Sequence, residues 1–202
     1  MELFIGKRFA IVPGTYSENL GQRIPIVLGY GKAFGSGGHE TTRSCLEELE
    51  DISGIKGMTV LDFGCGTGIL AVAAVKLGAK RVTAVDTDPD AITATISNRR
   101  LNGLDDRIDA IAGSLDQAGD DQFDLIIANL YGDLILANLE AMSSVLKPCG
   151  IMLLSGIRYE YAFDIKTKAV SLGFEKVRQI MLADFCTFVF QRHGAAHKPL
   201  RR

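Results

Sequence analysis

Apolar runs of four to six residues recur along this chain and are separated by segments with helical spacing. MTVLDF (58–63), RVTAVD (81–86), FDLIIA (123–128) and IMLL (151–154) read as buried strands, and IDAIA (108–112) as a weaker one. Between them lie helices over 69–77, closed by Gly78, and from Pro89 to about Arg100, with Asp88 as N-cap and Asn102-Gly103 as exit. A third carries Leu134, Ile135, Leu139, Met142, Val145 and Leu146 on one face, and a fourth carries Ala162, Ile165, Ala169 and Val170. Residues 147–150 (KPCG) form a turn. After Gly173, strands over 175–182 and 185–190 follow with no helix between them, which predicts an antiparallel hairpin.

Upstream, Cys45, Leu46, Leu49 and Ile52 mark a helix from about Thr41. Before it, GYGKAFGSGGHETT (29–42) contains five glycines and reads as a loop. Residues 4–12 and 24–28 predict two short strands, which Pro13 and Pro25 confine to edges. The expected organisation is an N-terminal extension (1–30), one catalytic domain (31–192) and a flexible basic tail (193–202). Buried strands alternating with helices define the fold class: α/β, three layers, Rossmann-like, with a mostly parallel seven-stranded sheet ending in an antiparallel hairpin.

That fold class directs attention to the loops after the strands, where open parallel sheets bind ligands. The first strong strand runs into DFGCGTG, with glycines at 64, 66 and 68. A nucleoside triphosphate loop needs a lysine after its last glycine, and none is present. A dinucleotide loop places its third glycine one residue later, where Ile69 stands, and Asp62 would oppose the pyrophosphate. S-adenosyl-L-methionine has no phosphate and carries an ammonium, which Asp62 is suited to accept. Asp86 ends the next strand, where an acid hydrogen-bonds ribose hydroxyls. Asp62 also has a purely structural reading, as a tie for the loop backbone.

Other candidates end the later strands. Gly113, Ser114 and Leu115 offer a backbone N–H and an apolar side chain suited to adenine. Asn129 ends a fully apolar run, where its amide must be satisfied; it orients an incoming amine or caps a loop. Ser155 and Gly156 end the fifth strand. In the long loop, Phe34 and His39 suggest a lid, and Ser36 and Thr41 are hydrogen-bonding groups. His39 reads equally as a helix N-terminal residue. The net charge of -2 argues against a surface that wraps nucleic acid, so no stable nucleic-acid binding is expected. The four cysteines (45, 65, 149, 186) lack metal-ligand spacing, so no metal is expected and a reducing compartment is implied. With no basic-then-apolar leader and no run of 18 apolar residues, the expectation is a cytoplasmic protein without membrane attachment.

LDFGCGTG, VDTDPDA and NRRLNG together resemble a class I methyltransferase. GKRFAIVPG, GKAFGSGGHETTRSCLEELE, IIANLYGDLI and LKPCGIMLLSGI narrow the resemblance to the methyltransferases of bacterial ribosomal large-subunit protein eleven. It spans residues 5–190. The loop reads GSGGHETT where that family usually has GTGTHPTT, and Leu130 and Tyr131 replace the usual NIL run. The resemblance implies S-adenosyl-L-methionine as cofactor and a protein amine as acceptor, lysine or N-terminal, with a ribosomal protein as the partner. It places Phe34, Gly35, Ser36, Gly37, Asp62, Gly64, Gly66, Asp86 and Asn129 around the cofactor. Thr41, Cys65, Thr87, Ser114 and Leu115 complete that set from the same loops. Asn129 is the candidate for orienting the acceptor and Tyr131 for packing beside it. The alternatives are a small-molecule or nucleic-acid methyltransferase of the same fold and an inactive binding module; absence of N-P-P-Y or D-P-P-Y at 129–132 counts against one nucleic-acid form.

Overall fold

A computed structural model describes residues 2–14, 20–29, 35–119 and 122–193. Phe34 and most of the basic tail lie outside the described residues. The N-terminal strands β1 (Leu3–Ile5), β2 (Phe9–Pro13) and β3 (Ile24–Leu28) form a small mixed sheet. The single strand expected over 4–12 is thus two strands joined by a turn. That turn is held from outside: the Glu50 carboxylate accepts the N–H groups of Lys7 and Arg8, each at 2.9 Å. Both prolines fit their places, Pro13 at the end of β2 and Pro25 on the edge strand β3.

The main sheet contains β4 (Thr59–Phe63), β5 (Arg81–Asp86), β6 (Ile108–Ala112), β7 (Phe123–Asn129), β8 (Leu146–Arg158), β9 (Phe174–Met181) and β10 (Phe185–Arg192). Their order is β6-β5-β4-β7-β8-β10-β9, and only β10 runs antiparallel to its neighbours. This is the expected sheet with its closing hairpin. The chain winds outward in both directions from the β4–β7 pair, which opens a crevice beyond the carboxyl ends of those two strands.

Side-chain alternation divides the core between the two faces of the sheet. Val60, Leu125, Ile127 and Leu153 pack on one face with helices α1 (Glu40–Asp51), α2 (Ile69–Lys76) and α3 (Pro89–Leu101), and with Ile5, Phe9 and Ile26 of the small sheet. Leu61, Phe63, Ile126, Met152 and Leu154 pack on the other with α4 (Gly132–Ser144) and α5 (Tyr159–Ser171). Every residue of α2 except Lys76 is buried, as its all-apolar sequence ILAVAAV requires. Asp88 caps α3 as expected, accepting Asp90 N–H at 2.9 Å with Pro89 in the first turn. The expected turn at 147–150 is an excursion inside one long strand: Phe123 pairs with Leu146 but Leu125 pairs with Ile151, so the intervening residues loop out, with Cys149 at a φ of 63°.

Candidate active site

The loop after β4 is bent by its glycines and held by its neighbours. Gly64 and Cys65 donate their N–H groups to Val85 O of β5 at 2.8 and 3.1 Å. Gly64 has a φ of 75°, and a Cβ there would lie 2.4 Å from the Leu130 side chain. The bare backbone at this position therefore admits a protein side chain from the β7 loop as well as the turn itself. Gly66 faces the crevice, with its N–H held by Asp86 Oδ2 at 2.9 Å.

Asp62 sits on β4 in the same alternation as Val60, so its side chain points towards α2. Oδ2 accepts the Ala71 N–H at 3.0 Å, in the first turn of that helix, where a negative charge is favoured. Oδ1 is buried without a hydrogen-bond partner, although the residue is only 1% exposed. Burial pushes the Asp62 carboxyl up to about 7; the Ala71 N–H works against that shift, and the Asp86 carboxylate adds to it. The two oxygens thus differ in their surroundings. One ties the helix, and the other needs a donor.

These loops bound a cleft of about 330 Å³ lined by Gly64, Gly66, Asp86, Asn129, Leu130 and Tyr131, with His39, Thr41, Leu134, Gly156 and Phe185 completing it. Asp86 anchors two backbone groups, Gly66 N–H and Asp88 N–H at 3.0 Å, while facing the cleft. Asn129 donates through Nδ2 to Thr42 Oγ1 at 3.2 Å, an arrangement that leaves its carbonyl oxygen as the acceptor. Gly156 comes close behind it, with a φ of 79° and no room for a Cβ, which would lie 2.4 Å from Leu130 O. Beneath lies a buried hydroxyl chain: Ser44 donates to Thr187 at 2.8 Å, and Thr187 and Ser155 share a bond of 2.7 Å. It links α1, β10 and β8 directly under the site. Thr187→Val is expected to leave both serines short of a partner and to lower unfolding free energy by about 1–3 kcal/mol in urea titration, with the m-value unchanged.

A family model described as "Ribosomal protein L11 methyltransferase (PrmA)" matches residues 3–193. The chain belongs to this family. A ribosomal protein L11 methyltransferase from Herpetosiphon aurantiacus is 36% identical over 93% of the chain and 65% of its own length. The crystal structure of a ribosomal protein L11 methylase from Lactobacillus delbrueckii subsp. bulgaricus superposes with a TM-score of 0.84 at 32% identity, covering 95% of this chain and 98% of that one. The T. thermophilus 16S rRNA N2 G1207 methyltransferase, at 22% identity over 80% of this chain and 45% of its own, has a TM-score of 0.67 and shares the fold. The chain spans between about half and two thirds of the length of the curated ribosomal protein L11 methyltransferases it matches.

Against this family background, the candidate residues fall into groups. Thr41, Gly64, Gly66, Asp86, Asn129 and Tyr131 meet at the cleft, and Asp62 lies beneath its floor. Gly35 accepts the Thr67 hydroxyl at 2.7 Å, tying the long loop to the glycine turn, and Gly37 packs towards Ile5, Ile11 and Ile69. Ser36 and Thr87 are exposed. Cys65 is buried with its sulfur 3.4 Å from Thr95 Oγ1, and burial pushes its thiol well above the ordinary range. Ser114 and Leu115 are not among the cleft-lining residues. The Ser114 N–H is taken by Gln117 Oε1 at 2.7 Å within a short 3-10 turn that packs on β5 and β6, and Leu115 is buried in the core on the α4 and α5 face of the sheet.

The sequence reading missed Leu134 and Phe185. Leu134 has helical core spacing, yet it is 45% exposed at the cleft because it lies in the first turn of α4, where the helix projects past the sheet. Phe185 reaches the site only because β10 lies next to β8, which brings its first residue opposite Arg158; its ring stands edge-on to His39 with centroids 5.5 Å apart. No local pattern encodes either placement. Of the two residues read at the end of the fifth strand, Ser155 is fully buried in the hydroxyl chain, and Gly156, also buried, lines the cleft.

Proposed function

We propose that this chain transfers a methyl group from S-adenosyl-L-methionine to an amino nitrogen of a protein, a lysine side chain or an N-terminal amine, and that the acceptor is a ribosomal protein in the cytoplasm. The observation that carries the cofactor is the orphaned Asp62 Oδ1, a buried acceptor next to a cleft that a second carboxylate, Asp86, lines from the end of the neighbouring strand. An ammonium on one and a ribose diol on the other fit that pair. Family membership supports the protein acceptor. Among the described residues no helix is long and apolar enough to cross a membrane, and no His/Cys/Asp/Glu group is arranged to hold a metal ion.

The bound cofactor supplies an electrophilic methyl on a sulfonium, so the chain needs to provide alignment and no covalent intermediate. Asp62 would hold the ammonium and Asp86 the ribose hydroxyls, directly or through water. Asn129 accepts an N–H of the incoming amine through its carbonyl oxygen, since Thr42 occupies its amide nitrogen. The amine lone pair forms the N–C bond as the C–S bond breaks, and the proton shed by nitrogen passes to solvent. A lysine must enter neutral, with an ordinary pKa near 10.4. Leu130, Tyr131, Leu134 and Phe185 make that side of the cleft apolar, which favours the uncharged amine.

The test is transfer of radiolabelled methyl from S-adenosyl-L-methionine into a host extract resolved by size. A labelled protein band supports the reading and identifies the acceptor. Label confined to nucleic acid or small molecules moves the chain to another acceptor class, and no label with no cofactor binding removes the enzymatic reading. Asp86→Ala is expected to weaken S-adenosyl-L-methionine binding by about tenfold in calorimetry, because the ribose loses its acceptor and Gly66 loses the group that holds it.

A further inference from the structure

The wall of the cleft that contains Phe185 is the turn between β9 and β10, and that turn is fastened to the far end of the chain by Glu40. Glu40 is the first residue of α1, at a position where the loop departs from GTGTHPTT. Its Oε2 accepts the Ala183 N–H at 3.0 Å and its Oε1 the Asp184 N–H at 3.4 Å, across more than 140 residues of chain. The turn closes on itself through Leu182 N–H to Phe185 O at 2.8 Å, and the Tyr159 hydroxyl donates to Leu182 O. The carboxylate sits at the positive end of the α1 dipole, which stabilises its ionised form as a double acceptor. Immediately before it, His39 caps the same helix and meets the Phe185 ring.

We propose that Glu40 is a positioning residue for the acceptor side of the cleft: by holding both N–H groups of the turn, it fixes the Phe185 ring against His39 and so sets the apolar wall facing Tyr131 and Leu134. It touches neither cofactor nor acceptor; Gly64, Gly66 and Asp86, on the cofactor side, lie on other loops. The proposal rests on the methyl-transfer reading of the cleft. A glutamate with only a capping role needs no partner in the C-terminal hairpin. This one spends both oxygens there.

Three measurements on Glu40→Ala test it: amide exchange by mass spectrometry or NMR, binding of S-adenosylhomocysteine, and KM and kcat with the acceptor protein recovered from the labelling experiment. The expected result is at least tenfold faster exchange at Ala183 and Asp184, acceptor KM raised about tenfold, and S-adenosylhomocysteine affinity within twofold of the parent. Glu40→Gln, which keeps one acceptor oxygen and folds with nearly the same side chain, is expected to fall between the two. Unchanged exchange overturns the clamp. Lost protection with an unchanged acceptor KM overturns the positioning role, as does an equal loss of cofactor affinity. If the parent binds no S-adenosylhomocysteine or labels no acceptor, the methyl-transfer reading itself fails and the positioning role goes with it; a failure confined to the Glu40 variants leaves that reading intact.

Discussion

Asp62→Asn is expected to weaken S-adenosyl-L-methionine binding by about 10- to 100-fold at pH 8, the loss that follows from removing a charge-assisted hydrogen bond of roughly 1.5–3 kcal/mol. The same variant is expected to melt at a higher temperature than the parent when both are ligand-free at pH 8. The reason is the direction of the shift at this carboxyl. Burial raises it to about 7, against an unfolded value of about 3.9, so the folded chain binds the proton more tightly. Its contribution to stability is fully present below the unfolded value and is lost as pH rises through 7. Asparagine removes that slope. A bound ammonium reverses the preference, so the parent should bind cofactor about tenfold more weakly for each pH unit below 7, while the variant shows no such dependence. Calorimetry and thermal melts at pH 5.5 and 8 measure both effects. A parent affinity flat across that range would remove Asp62 from the ammonium site and leave it only its bond to Ala71.

The second large effect is expected at Asn129. Asn129→Ala should lower kcat by about 100-fold while cofactor affinity changes by less than threefold, because the lost group aligns an amine whose attack needs little else. An equal fall in both would assign Asn129 to binding. Asn129→Asp keeps the shape and places a negative charge beside the amine. It should hold the ammonium form and move the pH–rate profile to higher pH, a response that truncation alone does not produce.

Much of this fold was legible because the apolar spacing is strong where the sheet is buried. The strands beginning at Thr59, Arg81 and Phe123 have both faces covered, and their sequences say so. The boundaries that went astray are those set by partners distant in sequence. The split of β1 from β2 depends on Glu50, and the length of β8 depends on pairing with β7 and β10 on either side of an excursion that looks locally like an ending. The site divides in the same way. Asp62, Asp86 and Asn129 stand at strand ends, which a strand pattern locates. Phe185 and Leu134 became cleft residues through the placement of the hairpin and the overhang of α4. At Ser114, read as a candidate beside adenine, a side chain three residues on, Gln117, takes the backbone N–H, a contact that no strand pattern locates.

The position of β10 makes one strand the keystone of both the sheet and the cleft. This strand enters the sheet between β8 and β9, brings Thr187 to the hydroxyl chain, and carries Phe185 at its start. Without β10 the cleft lacks Phe185, and β9 is left with no strand to pair with. The cleft is therefore complete only when residues 185–192 lie between β8 and β9, and a variant lacking β10 is expected to have an incomplete cleft wall.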